Sequence, residues 1–208
     1  MRSIEELRRD APLAPDLLLA FALSLTRELV DLHAQDQVHG DLRPCRVLWD
    51  GASELTILPA EPPSERQSAG DISHWGPEQC REEIPGLRSD VFAAGALIHE
   101  MATGDHPFIE DEEEDIESVM ETIQFTRVEL PGRSRPELCL DWDAIVSICL
   151  AKDPGERYAS ALDLEKQVEK LSREGGRARI LFRPHWPRIG LALFVLGALA
   201  FALYLVLR

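Results

Sequence analysis

The chain has 208 residues, 45% of them hydrophobic, and a net charge of −15. That apolar content suffices for one packed domain with a short appendage and excludes a chain disordered throughout. The charge is uneven: residues 173–208 hold six Arg and one Glu, a local +5, which leaves −20 on residues 1–172 and excludes a nucleic acid partner held through its phosphates.

Ser3-Ile4-Glu5-Glu6 has the capping-box pattern and opens a short helix, which the run APLAP at 11–15 ends. Pro15 and Asp16 suit the first turn of a second helix. Its apolar residues Leu18, Phe21, Ala22, Leu25, Leu29 and Leu32 recur every three or four positions, a helical face reaching about His33. Extended pieces follow at Val47–Trp49 and Leu55–Leu58, joined through Asp50-Gly51, a hairpin signal. Residues 59–77, rich in Pro, Ser, Gly and charge, read as an irregular loop.

Ser89 is placed to cap a helix from Asp90 to Thr103, with Gly104 as its stop. The run VFAAGALIHEMA is apolar on nearly every face, which predicts a helix through the core. The acidic run at 110–115 reads as solvated and precedes a helix near 115–124. Asp141 and Ser160 are placed to cap closing helices over 142–151 and 161–172. The fold class is therefore mostly α, with a short β hairpin region in the middle.

The four cysteines (Cys45, Cys80, Cys139, Cys149) form no C-x-x-C and have no His at metal-ligand spacing, so they read as reduced thiols of a cytosolic compartment. Arg outnumbers Lys 19 to 3, which points to a GC-rich bacterial genome. Residues 189–207, IGLALFVLGALAFALYLVL, run 19 positions without a charge. At ~1.5 Å per residue such a helix reaches ~28 Å, close to a bilayer core. Arg173, Arg177, Arg179, Arg183 and Arg188 precede it, and Trp186 sits at the interface. Cationic flanks stay in the cytoplasm, so the expectation is a single-pass cell-membrane protein whose N-terminal domain is cytoplasmic. The chain divides into a domain at 1–172, a basic juxtamembrane linker at 173–188 and one C-terminal transmembrane helix at 189–207.

Four stretches, in order, resemble the large C-terminal lobe of Ser/Thr protein kinases of the bacterial receptor-like type. LVDLHAQDQVHGDLRP is similar to the family's helix and catalytic loop, and GPEQC to its Ala-Pro-Glu motif. SDVFAAGALIHEMATGDHPF is similar to the central helix, and CLAKDPGERYAS to the closing segment. The resemblance implies structural roles for His39, Glu78, Asp90 and Arg157. Glu78 would pair with Arg157, Asp90 would brace the catalytic-loop backbone, and His39 would pack below the active site.

The residues of the chemistry depart from the pattern. Asp41 stands at the position of the catalytic base and Arg43 at that of the loop Lys. Gly40 replaces the Arg that reads an activation-loop phosphate, so phosphorylation at Ser64, Ser68 or Ser73 would lack its reader. Asp71 replaces a Thr. Arg46 stands at one magnesium-binding position and Pro59 at the other, and neither side chain can ligate a cation. Glu61 lies two positions out of register. The family's Gly-rich loop and strand Lys have no counterpart before Ser3, so the expectation is a large lobe without its small lobe. No metal and no cofactor are expected.

The function these residues imply is a membrane-anchored, pseudokinase-like domain acting as a protein-binding or regulatory module in signalling. The alternative is a divergent Ser/Thr protein kinase, using ATP and Mg, completed by a missing or separate small lobe. The expected partner is a protein, a full-length kinase or a second copy. Val47, Leu48, Leu55 and Ile57 are expected to border the exposed apolar face it would contact.

Overall fold

The computed structural model describes residues 1–61, 68–109, 115–138 and 140–173. The architecture is mostly helical with one three-stranded antiparallel sheet. Its strands are β1 (Arg2–Ser3), β2 (Val47–Trp49) and β3 (Leu55–Ile57), in that spatial order. The hairpin registers Val47 with Ile57 and Trp49 with Leu55. Asp50 shapes its loop by accepting the backbone N–H of Ala52 and Glu54 on Oδ1.

Helix α1 (Ile4–Leu7) begins where Ser3 accepts the Glu6 N–H, as its capping pattern predicts. Helix α2 (Pro15–His33) buries the apolar stripe from Leu18 to Leu29, while Leu32 lies half-buried. Short helices α3 (Ala69–Ile72) and α4 (Pro77–Cys80) replace part of the irregular loop expected over 59–77. Ser68 and Asp71 cap α3 reciprocally, a local signal hidden in a polar run.

Helix α5 (Leu87–Thr103) starts three residues before the expected position. Ser89 is not its cap. It lies in the first turn, accepts the Gly86 N–H and gives its own proton to Glu78. Every residue from Ser89 to Ala102 is buried, so the all-round apolar helix does run through the core. Helices α6 (Ile116–Phe125), α7 (Pro131–Ser134), α8 (Leu140–Cys149) and α9 (Ala161–Arg173) complete the domain. Asp115 caps α6, and α8 begins at Leu140, which places Asp141 inside its first turn.

Around α5 pack α2, α8 and α9. A Cβ on Gly95 would lie 2.3 Å from that of Cys149, so the absence of a side chain there lets α5 and α8 approach. Phe92 and Phe108 stack at 5.5 Å, and Phe21 meets Trp49 edge-on at 5.4 Å.

The exposed apolar face expected around β2 and β3 is not found in that form. Val47, Trp49 and Leu55 belong to the buried core, and only Leu48 and Ile57 are half-buried. The strand period of two sends Val47 and Trp49 to one face, where Trp49 meets Phe21 of α2, and β1 pairs along β2. Among the described residues no helix is long and apolar enough to cross a membrane. The expected span at 189–207, the linker from 174, and positions 110–114 of the acidic run lie outside the described residues.

Candidate functional site

The loop from His39 to Arg46 hangs from α5 through one carboxylate. Asp90, 1% exposed, accepts the His39 N–H on Oδ2 and the Gly40 N–H on Oδ1, both at 2.8 Å. His33, at the end of α2, adds a third bond to Oδ2 at 2.9 Å. Its other ring nitrogen accepts the Ala161 N–H at 3.4 Å, so the ring proton is the one given to Asp90. The His39 ring spans the loop, reaching the Leu58 carbonyl with Nε2 and accepting the Asp41 N–H on Nδ1.

Gly40 adopts a left-handed φ of 71°. Its carbonyl accepts from Gln79 Nε2 at 2.8 Å, and Gln79 in turn accepts the Gly76 N–H. A Cβ at Gly40 would lie 3.1 Å from Pro85. The glycine where the resemblance has Arg therefore has a local backbone reason, since left-handed geometry strains any residue with a side chain.

Beyond Gly40 the loop carries an alternating row of charges. Asp41 faces Arg43 Nε at 3.0 Å through Oδ1 and Arg46 Nε at 3.4 Å through Oδ2. Arg43 reaches on to Asp71, and Arg46 reaches on to Glu61. The Glu61 N–H also points at Asp41 Oδ2, 3.3 Å away. The Ser68 backbone N–H, then the Ser68 hydroxyl and Arg43, hold the Asp71 carboxyl below its usual range. Its bond to Arg46 does the same for Glu61. Two guanidinium groups thus neutralise two of three carboxylates, and both Asp41 oxygens face them.

A divalent cation does not fit these residues. Magnesium takes an octahedron of oxygens at about 2.0–2.1 Å. Here the guanidinium of Arg46, with 11% of its side chain exposed, lies between the carboxylates of Asp41 and Glu61. Pro59 offers no side-chain donor. Among the described residues no three His, Cys, Asp or Glu side chains group so as to hold a metal ion.

A second charged centre lies under the start of α5. Arg157 places five hydrogen bonds: one to each oxygen of Glu78 at 2.8 Å, and three to the carbonyls of Arg88, Ala151 and Lys152. Its guanidinium rests on the Phe92 ring, 4.8 Å from the centroid. Burial alone would push Glu78 up, but the bonds from Arg157 and Ser89 outweigh it and hold the carboxyl below its ordinary value.

No family model matches the chain. Individual proteins do. It is 27% identical over 171 residues to the serine/threonine-protein kinase PknB of Mycobacterium leprae, covering 76% of this chain and 27% of that protein. It is 26% identical over 176 residues to the serine/threonine-protein kinase PrkC of Bacillus subtilis, covering 79% and 26%. PknE of Mycobacterium tuberculosis, also a serine/threonine-protein kinase, is 27% identical over 167 residues, with 76% and 29% covered. The chain is related to the bacterial Ser/Thr protein kinases. It spans about a quarter of the length of these kinases.

Within this kinase-like frame the structure brings His39, Asp41, Arg43, Arg46 and Asp90 into one loop region, and Glu78 and Arg157 into the centre beneath α5. Pro59 follows Leu58, whose N–H and carbonyl tie to Arg46 and His39. Sequence reasoning passed over His33 and Gln79. Gln79 also accepts the Gly76 N–H within its own turn, but its hold on Gly40, like that of His33 on Asp90, needs a partner more than thirty residues away.

Proposed function

We propose that this chain is a membrane-anchored, kinase-like large lobe that binds a protein partner in signalling and does not transfer phosphate. The observation that carries the proposal is the guanidinium of Arg46 between Asp41 and Glu61. Phosphoryl transfer depends on cations that neutralise developing charge and on a base free to orient the nucleophile. In this loop a side-chain cation is already built in, it cannot coordinate phosphate oxygens as a metal does, and Asp41 is committed to two arginines. No cofactor is assigned on this reading. The proposed partner is a full-length kinase or a second copy of the chain. The residues at 1–172 form the binding domain, 173–188 the basic linker and 189–207 the membrane span, which confines both partners to one surface with the domain in the cytoplasm.

The names of the relatives favour a second reading, a divergent Ser/Thr kinase that uses ATP and Mg with a small lobe supplied from elsewhere. Incubating the purified chain with labelled ATP, magnesium or manganese, and a kinase small lobe added as a separate fragment separates the two. The binding reading expects no transfer that depends on Asp41. Labelling that Asp41→Asn abolishes would overturn it and install the kinase reading.

A further inference from the structure

Helix α6 turns Val119 and Ile123, both 0% exposed, into the core and packs on α3 and α4. Its opposite side carries Glu117, Glu121 and Phe125, all exposed and spaced i, i+4, i+8. At ~1.5 Å per residue they form one line about 12 Å long. The stability of the domain accounts for neither part of that line. Two carboxylates four positions apart repel, and no Lys or Arg stands three or four positions from either to offset them. Phe125 is 75% exposed, its ring left in water at the end of the helix.

Beside the line opens a groove of about 640 Å³, lined from α6 by Thr122 and from the turn after α5 by Phe108 and Ile109. The charges of the groove balance. Asp105, Glu129 and Arg127 line it, and Arg133 pairs with Glu129 at 3.1 Å. The unopposed charge therefore lies on α6. From 105 to 121 the described residues hold four carboxylates, Asp105, Asp115, Glu117 and Glu121, and no Lys or Arg.

We infer that this side of α6 is a docking surface for a segment of another protein that carries an arginine about one helical turn, ~6 Å, from an aliphatic or aromatic side chain. The arginine seats between Glu117 and Glu121 and relieves their repulsion, and its planar fork offers an N–H to each carboxylate. The apolar side chain covers Phe125 and enters the groove beside Thr122. A second copy presenting the same side does not fit, because it sets carboxylates against carboxylates, and an anionic lipid surface fails for the same reason. The inference rests on the reading that the chain binds a protein partner. It adds the chemistry of that partner and a surface that shares no residue with the charged loop.

The test is an amide NMR titration of the full chain in zwitterionic detergent with a short synthetic peptide of Gly and Ser carrying one Arg and one Leu. The two are placed two positions apart, ~6.6 Å in an extended chain. Its counterparts have Glu for Arg or Ser for Leu. The Arg–Leu peptide is expected to shift the amides around Glu117, Glu121 and Phe125, the Ser counterpart to bind more weakly, and the Glu counterpart to leave α6 unshifted. Glu117→Gln combined with Glu121→Gln should weaken binding about fivefold. Phe125→Ser, which leaves the charge unchanged, should weaken it about as much. Glu54→Gln combined with Glu156→Gln removes two exposed carboxylates elsewhere and should have no effect. Shifts that bypass α6, equal binding of the Glu counterpart, or an equal loss in the Glu54 and Glu156 control would overturn the docking surface. Phosphate transfer that needs Asp41 would overturn the proposed function and leave these outcomes as they are, so the two failures are told apart.

Discussion

Arg157 spends both terminal nitrogens on the two oxygens of Glu78, 79 positions away in sequence, at 2.8 Å each. The pair pins the end of the 68–80 segment to the loop before α9. Removing one partner of a buried pair strands the other charge, which typically costs about 3–5 kcal/mol. Arg157→Ala is therefore expected to lower the urea midpoint strongly, and Glu78→Ala with Arg157→Ala to lie closer to wild type than the worse single variant. The Glu78 carboxyl is held below its ordinary value, so its contribution is present above the unfolded-chain pKa of about 4.5 and is lost as pH falls through the lower folded value. The acid limb of the stability curve should flatten in Glu78→Gln.

Gly40 marks a divergence that a single substitution can probe. Restoring the family residue with Gly40→Arg forces a side chain into left-handed backbone against Pro85. The expected cost is roughly 1–2 kcal/mol, read as a lowered urea midpoint. Amide shifts should concentrate at His39, Gly40 and Gln79. A Gly40→Arg chain as stable as the parent would show that the loop relaxes freely.

Lys152 sits over the Phe108 ring at 4.5 Å and donates to the Ile123 carbonyl at the end of α6. Burial first, then Arg157, lower its pKa to about 8 from 10.5. A lysine whose folded pKa is depressed binds fewer protons folded than unfolded between those values, so its contribution to stability rises with pH across that window. Lys152→Met is expected to cost more at pH 10 than at pH 7, measured as the gap between paired urea midpoints. A gap that narrows with pH would contradict the assignment.

The proposed membrane topology rests on the charge bias around residues 189–207. A reporter active only outside the cytoplasm, fused after Arg208, is expected to work, and the same reporter fused at Met1 is not. The reverse pattern would mean that the upstream arginines do not set orientation.

Several things were legible in the residues alone. The spacing of Leu18, Phe21, Leu25 and Leu29 specified α2, and the run over 91–102, apolar except for His99 and Glu100, specified a core helix, because burial against water acts through simple periodicity. The order of four motifs pointed to the kinase lobe. Boundaries were harder to read. Ser89 reads as a cap until the fold turns its hydroxyl to Glu78. Val47 and Leu55 read as members of an exposed face until the fold buries them, with β3 lying against α2. Only the tertiary structure decided that Arg46 lies between Asp41 and Glu61 and that His33 and Gln79 hold the loop. Periodicity and caps are set by neighbours within a few positions. Charge pairing and hydrogen bonding act at about 3 Å between atoms that only the packed helices bring together.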